Sequence, residues 1–237
     1  MGKRVLVQRR GKGGSQFRAA KVGKIAPAKY PNLPQNETVE AEVLDIVHER
    51  GRSAPLMKIG IGGRVYYLPA VRGVSVGQTI KIGPEAEPVV GNVLPIYRIP
   101  DGAMISNIEL TYGDGGKLVR SSGGHAILFS HFRNGDALIK LPSGKSITVK
   151  ARCRAMIGEV AGGGRTEKPF LKAGAKLKLM RARGRKYPRV RGVAMAAAFH
   201  PFGGAYKKKK LKTVARTAPP GQKVGAIAAK RTGKKKR

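Results

Sequence analysis

A chain of 237 residues with 48 Lys and Arg against 13 Asp and Glu carries a formal charge of +35, and self-repulsion of that size opposes a compact monomer unless a polyanion neutralises it. Nucleic acid is the partner this composition implies. A membrane span and a secretory leader are both argued against, because no apolar run approaches the ~18 residues a span requires and the basic start has no hydrophobic segment behind it.

The charge is arranged in blocks. Residues 1–35 hold nine Lys or Arg and no acid, residues 165–237 hold twenty-four against the single acid Glu167, and residues 36–164 hold fifteen against twelve, a net charge of +3. Basic N- and C-terminal extensions, 1–35 and 165–237, are therefore expected around a folded centre, gaining order when phosphate neutralises them. With 33 Gly and 15 Pro the chain is poor in long helices, and the expected fold class is mostly β.

In the centre, Val39, Ala41 and Val43 alternate with Glu40 and Glu42, the period of a strand with one wet face, and the pattern runs on through Leu44, Ile46 and Val47. Segments 56–61 and 65–68 flank Gly62-Gly63, which suits a tight hairpin turn, and 79–82 follows the turn at Gly77-Gln78. Short strands at this spacing over residues 36–83 have the scale of a small barrel of the oligonucleotide-binding kind, though spacing does not separate it from other small barrels. A second group, in residues 84–164, starts at Val93 and continues through 105–110, 126–129, 137–141, 147–150 and 155–160. Gly-rich turns separate these segments, as a second small barrel requires. Residues 193–199 form the one Ala-rich segment expected to attempt a helix.

Enzyme-like words fail on inspection. Gly144-Lys145-Ser146 resembles the end of a phosphate-binding loop, but Ile139 stands where the leading glycine belongs. His48, His125, His131 and His200 are dispersed, with no His-x-Glu pattern or paired carboxylates, so neither catalysis, a metal site nor a cofactor is expected. The single cysteine, Cys153, excludes an internal disulfide and a cysteine-based metal cluster, and its expected place is a buried strand in a reducing compartment. Arg152 and Arg154 flank it, which favours a lowered thiol pKa, yet no second catalytic group accompanies it.

The binding chemistry thickens toward the C-terminus. Gly162, Gly163 and Gly164 precede Arg165, and successive glycines let backbone amides approach an anion closely while nearby cations supply charge. Arg181, Arg183 and Arg185 offer forked donors, and Lys186 and Tyr187 add a point charge and an aromatic face for unpaired bases. Lys207, Lys208, Lys209 and Lys210 are four mobile point charges that fit many phosphates equally well. Discrimination between RNAs is therefore expected from residues 162–204, and undirected affinity from the lysine-rich remainder.

Arg189-Val-Arg191-Gly192-Val193-Ala194-Met195, followed by His200-Pro201-Phe202-Gly203-Gly204, resembles the signature of the universal ribosomal protein L2 family. The same family order is met in Gly51-Arg52-Ser53-Ala54-Pro55-Leu56, Gly91-Asn92-Val93-Leu94-Pro95, Gly116-Lys117-Leu118-Val119-Arg120 and Leu141-Pro142-Ser143-Gly144. The runs at 161–165 and 223–233 are similar to its archaeal and cytoplasmic eukaryotic branch.

The resemblance implies a cytoplasmic, ribosome-bound protein of the large subunit. It would have an oligonucleotide-binding-like barrel (36–83), an SH3-like barrel (84–164) and a C-terminal extension entering 23S rRNA near the peptidyl transferase centre. The implied roles are assembly, subunit association and support of the tRNA sites, with neighbouring ribosomal proteins and the small subunit as further partners and no enzymatic activity. RNA contact carries over to Arg189, Arg191, His200, Pro201, Gly203 and Gly204. Where the family commonly has Asn-Pro after Gly-Val-Ala-Met and a third glycine after His-Pro-x-Gly-Gly, this chain has Ala196-Ala197-Ala198 and Ala205. An RNA-binding chaperone outside the ribosome and a DNA architectural protein are the alternatives that composition leaves open.

Overall fold

Strand β1 (Val39–Val47) buries Ala41 and Val43 completely and turns Glu40 and Glu42 to water. Its register against the next strand shifts between Val43 and Asp45, and Leu44 at the shift lies over Gly60, where an added Cβ would stand 3.2 Å from Leu44 Cδ1. Leu44 and Ile46, which continue the apolar pattern in the sequence, are both exposed. Strands β2 (Leu56–Ile61) and β3 (Arg64–Pro69) form the expected hairpin. Gly62 and Gly63 both have positive φ, 51° and 77°, the conformation of a two-residue type I′ turn whose twist matches the strands. Strand β4 (Thr79–Ile82) pairs with the other side of β1.

The second group comprises β5 (Val93–Pro95), β6 (Met104–Ser106), β7 (Ala126–His131), β8 (Ala137–Lys140), β9 (Ser146–Val149) and β10 (Arg154–Ile157). Strand β6 is shorter than the apolar pattern at 105–110 suggests, because Asn107 adopts φ 48° and its N–H turns to Val119 O. All ten strands join in the order β3-β2-β1-β4-β5-β10-β6-β7-β8-β9, and the two groups meet at the parallel rung Ile82 to Val93 and at an antiparallel bridge between Val71 and Val160. The fold is mostly β, as expected. Among the described residues β3 and β9 remain edges, and no ladder closes either half into a barrel.

Two apolar cores lie on either side of this join. Ala41, Val43, Met57, Ile59 and Ile80 belong to the first, and Ile96, Ile105, Leu128 and Ile139 to the second. Strands β5 and β10 serve both: Val93 and Met156 enter the first core, while Leu94, Ala155 and Ile157 enter the second. Successive side chains of a strand point to opposite faces, so a strand with two buried faces loses the polar alternation, and every residue of β10 is buried.

Residues 28–33 lie within the stretch expected as a basic extension, yet Ala28 and Tyr30 are buried. They are held by a polar network. The Glu109 carboxylate, 0% exposed, accepts from the Arg154 backbone N–H, Nε and Nη2 at 3.0, 3.2 and 2.9 Å and from Gly115 N–H at 3.1 Å. Arg154 Nη1 donates to Pro31 O at 2.9 Å, and its guanidinium lies 5.2 Å from the ring centroids of both Tyr30 and Tyr112. Tyr30 donates to Asn107 O and Tyr112 to Leu33 O, while Arg120 reaches Ala28 O and Gly116 O. Burial, then the Glu109 carboxylate, push the Tyr30 phenol well above its ordinary pKa, so it remains a donor.

The computed structural model describes residues 2–204 and 213–230 and divides into two units, 21–170 and 1–20 with 171–237. The second unit contains α1 (Leu6–Gly11), α2 (Ala173–Ala182) and a two-residue parallel ladder between β11 (Thr213–Val214) and β12 (Ala226–Ile227). The helix expected at 193–199 is reduced to a single 3-10 turn, Gly192–Ala194. The longer helix is α2, whose Ala, Leu, Lys, Met and Arg are strong helix formers and outweigh one interior glycine, Gly174. None of the described helices is long and apolar enough to cross a membrane.

Glu109→Gln leaves the Arg154 cation buried with its counter-charge removed, so the variant should lose about 3–5 kcal/mol of stability. Chemical denaturation followed by circular dichroism measures this, and a midpoint equal to that of the parent chain would remove the network from its structural role.

Candidate nucleic-acid interface

The unit built from 1–20 and 171–237 contains 28 Lys and Arg and no Asp or Glu, whereas 21–170 contains 20 and all 13 acids. No carboxylate side chain within the first of these can neutralise its cations. Water, aromatic faces, backbone carbonyls and external anions are what remain for them.

Helix α2 ends in a Schellman arrangement. Arg185 N–H donates to Met180 O at 2.8 Å and Gly184 N–H to Arg181 O at 3.1 Å, with Gly184 at φ 64°. Glycine is demanded twice there, because a Cβ at 184 would also come within 2.7–2.8 Å of the Phe17–Ala19 backbone. The cap reverses the chain, so that Arg185, Lys186, Tyr187 and Arg189 line one groove with Arg183 and Lys176. The groove has a volume of about 780 Å³, and its remaining wall comes from the N-terminal residues Leu6, Val7, Arg10 and Phe17. Lys176 Nζ lies 5.3 Å from the Tyr187 ring centroid. Arg181 is exposed on the last turn of α2, where a cation suits the negative end of the helix dipole.

Residues 189–204 form a loop closed on itself. The Phe202 N–H donates to His200 Nδ1 at 3.1 Å, which makes that nitrogen the acceptor and places the ring proton on Nε2. Gly192 lies directly against the imidazole, and a Cβ there would overlap it. Gly203 and Gly204 face the backbone and Cβ of Met195–Ala197, and Gly204 N–H donates to Met195 O at 3.1 Å. Ala196 and Ala197 therefore form the wall that these glycines close against. Arg189, Arg191 and Pro201 are exposed along the loop. Lys3 extends it, donating its N–H to Ala198 O at 2.6 Å and placing Nζ 4.7 Å over the Phe199 ring.

Gly162, Gly163, Gly164 and Arg165 belong to the unit 21–170 and are exposed. Gly162 and Gly164 have φ of 80° and 74°, while Gly163 is in close backbone approach to Gly123, whose added Cβ would stand 2.8 Å from Gly163 Cα. The structure thus shows an internal demand on these glycines as well as on 203 and 204. Lys207, Lys208, Lys209 and Lys210 lie outside the described residues.

Cys153 is buried, as expected, although it lies immediately before β10 and not within a strand, and its thiol is not activated. Burial first, then Glu109 and Asp114, push it up to about 11, while the Arg154 fork is engaged by Glu109. His131 is bound at both nitrogens, by Asp101 Oδ1 at 2.7 Å and Ile96 O at 3.0 Å. Among the described residues no three His, Cys, Asp or Glu are grouped to hold a metal ion. Sequence reasoning missed α2 and the N-terminal wall of the groove. The composition of 173–182 carried a signal for the helix; nothing in 1–20 indicated its packing against 176–189.

The family model for Ribosomal Proteins L2, C-terminal domain, matches residues 89–223. The large ribosomal subunit protein uL2 of Cenarchaeum symbiosum is 53% identical over 239 residues, covering 100% of this chain and 98% of the relative. That of Korarchaeum cryptofilum is 53% identical over 242 residues, with coverage of 100% and 98%, and that of Nitrosopumilus maritimus 50% over 238 residues, with 99% and 97%. The chain belongs to the ribosomal protein L2 family, whose members are structural components of the ribosome and not enzymes.

The raised Cys153 pKa carries a pH dependence. Its contribution to stability is fully present below the ordinary thiol value of about 8.5 and is lost as pH rises through about 11. Cys153→Ala should therefore flatten the loss of thermal stability between those values. At pH 8 the thiol of the folded chain should react with a disulfide reagent far more slowly than that of the denatured chain, as absorbance of the released thiolate will show.

Proposed function

We propose that the chain is a structural constituent of the large ribosomal subunit that binds 23S rRNA, supports assembly and subunit association, and helps organise RNA near the peptidyl transferase centre. The observation that carries this reading is the acid-free unit: 28 Lys and Arg with no Asp or Glu among them call for a polyanion, and family membership supports ribosomal RNA as that polyanion. Its working place is the cytoplasmic ribosome. Neighbouring ribosomal proteins are its other partners, and the small subunit is a further contact.

Four parts divide the work. Residues 1–35 and 165–237 are the basic extensions, and residues 36–83 and 84–164 are read as the oligonucleotide-binding-like and SH3-like modules of the family. The existence of two apolar cores supports that reading. Arg165, Arg181, Arg183, Arg185, Lys186 and Tyr187 contact RNA along one stretch. Arg189, Arg191, His200 and Pro201 do so from the closed loop, whose shape depends on Gly203 and Gly204. Gly162, Gly163 and Gly164 bring backbone to the RNA surface, and Lys207 to Lys210 add undirected affinity. Chemistry on the substrate is left to RNA; the protein fixes the position of RNA groups.

Replacing Arg189 and Arg191 by Lys preserves charge and removes the forked donors, so discrimination between a cognate 23S rRNA fragment and a scrambled control should fall. Replacing Lys207 to Lys210 by Gln should weaken both complexes alike and reduce the slope of affinity against salt. Filter binding across a salt series tests both variants. Equal loss on the two RNAs for the arginine variant would overturn the division of labour. Failure of the parent chain to bind the fragment, or to enter reconstituted large-subunit particles, would overturn the function itself.

A further inference from the structure

We infer that the groove between the N-terminal residues and the end of α2 receives a single unstacked nucleotide, its base against the apolar and aromatic side chains and its phosphate among the cations. The inference rests on the RNA-binding reading and adds to it a site, a ligand class and a set of N-terminal residues that sequence motifs do not mark.

Six cations line this groove, Arg10, Lys176, Arg183, Arg185, Lys186 and Arg189, and no acid does. An anion is the matching ligand. Phosphate alone, however, needs only cations and amides, whereas this groove also presents Leu6, Val7, Phe17 and Met180 together with Tyr187. Apolar and aromatic side chains interleaved with six cations match a ligand that carries a flat, weakly polar face and a negative charge on one short unit. A nucleotide is that unit. In an A-form duplex the base faces are stacked and the phosphates lie on a convex backbone, so only a nucleotide extruded from the helix offers both to a concave site.

The site is built into the chain. Gly184 closes the Schellman turn and permits the Phe17–Ala19 backbone to cross it within a distance no side chain allows, which brings Phe17 to the same groove as Tyr187. Lys176, already 5.3 Å from the Tyr187 ring centroid, shows that this ring accepts a cation on one of its faces.

The test uses the full chain and two RNA hairpins at one fixed salt concentration. In one hairpin 2-aminopurine is a single bulged nucleotide; in the other it is paired within the stem. The bulged hairpin should bind about tenfold more tightly, with its fluorescence quenched on binding, as expected for one base stacked on an aromatic side chain. Tyr187→Leu and, separately, Phe17→Leu should each reduce that preference several-fold by weakening the bulged hairpin more than the paired one, with circular dichroism establishing that each variant is folded. Equal affinity of the parent chain for the two hairpins would overturn the groove assignment while leaving RNA binding intact, and this comparison needs no variant. Equal weakening of both hairpins by folded variants would also overturn it. Binding of neither hairpin, nor of 23S rRNA, would overturn the proposed function and the groove together.

Discussion

The buried ion pair between Glu109 and Arg154 is the constraint on which the β-rich unit depends. Taking both charges out of water costs several kcal/mol each, so the arrangement is tolerable only if every charged atom is matched. Here both carboxylate oxygens accept, and the guanidinium is shared among Glu109, the Pro31 carbonyl and two tyrosine faces. The pair sits where the second core, the start of β10 and the residues 28–33 converge. It therefore specifies one path for a segment whose composition alone would let it wander.

That network also settles the chemistry of its neighbours. Glu109 raises the pKa of both Tyr30 and Cys153, in each case after burial itself, so the phenol remains a neutral donor and the thiol a neutral packing group. Glu49 shows the opposite balance. Burial works to raise its pKa, but hydrogen bonds from Lys24 and Arg52, at 2.6 and 3.0 Å, outweigh it and hold the carboxyl below its ordinary value. Glu49 and Glu109 hold structure inside 21–170, and the other unit contains no Asp or Glu.

Segregation of charge is thus the second organising fact. A unit with cations and no carboxylates cannot stabilise itself by ion pairs, and it uses close backbone contacts instead: Gly184 against Phe17–Ala19, Gly192 against His200, Gly203 against Met195 and Ala196. Glycines that suggest close approach to RNA are first required for close approach of the chain to itself. The two roles are compatible, since a loop fixed internally presents Arg189 and Arg191 at lower entropic cost than a mobile one.

The sequence by itself determined the mostly β class of structure and the family. Charge blocks, β alternation at Val39 to Val43, the Gly62-Gly63 turn and the run from Arg189 to Gly204 are local or additive properties, legible without knowing what lies nearby. Tertiary structure alone decided the bulge at Leu44, the sharing of β5 and β10 between two cores, the use of Arg154 by Glu109, and the groove that Phe17 and Tyr187 line together. Each of these rests on contacts between residues far apart in sequence or on a register shift, and neither composition nor periodicity encodes which distant surfaces meet. Helix α2 stands between the two cases: its residues are strong helix formers, but their charge drew the reading toward phosphate contact, and only the Schellman cap at Gly184 fixes where it ends and which side chains it delivers to the groove.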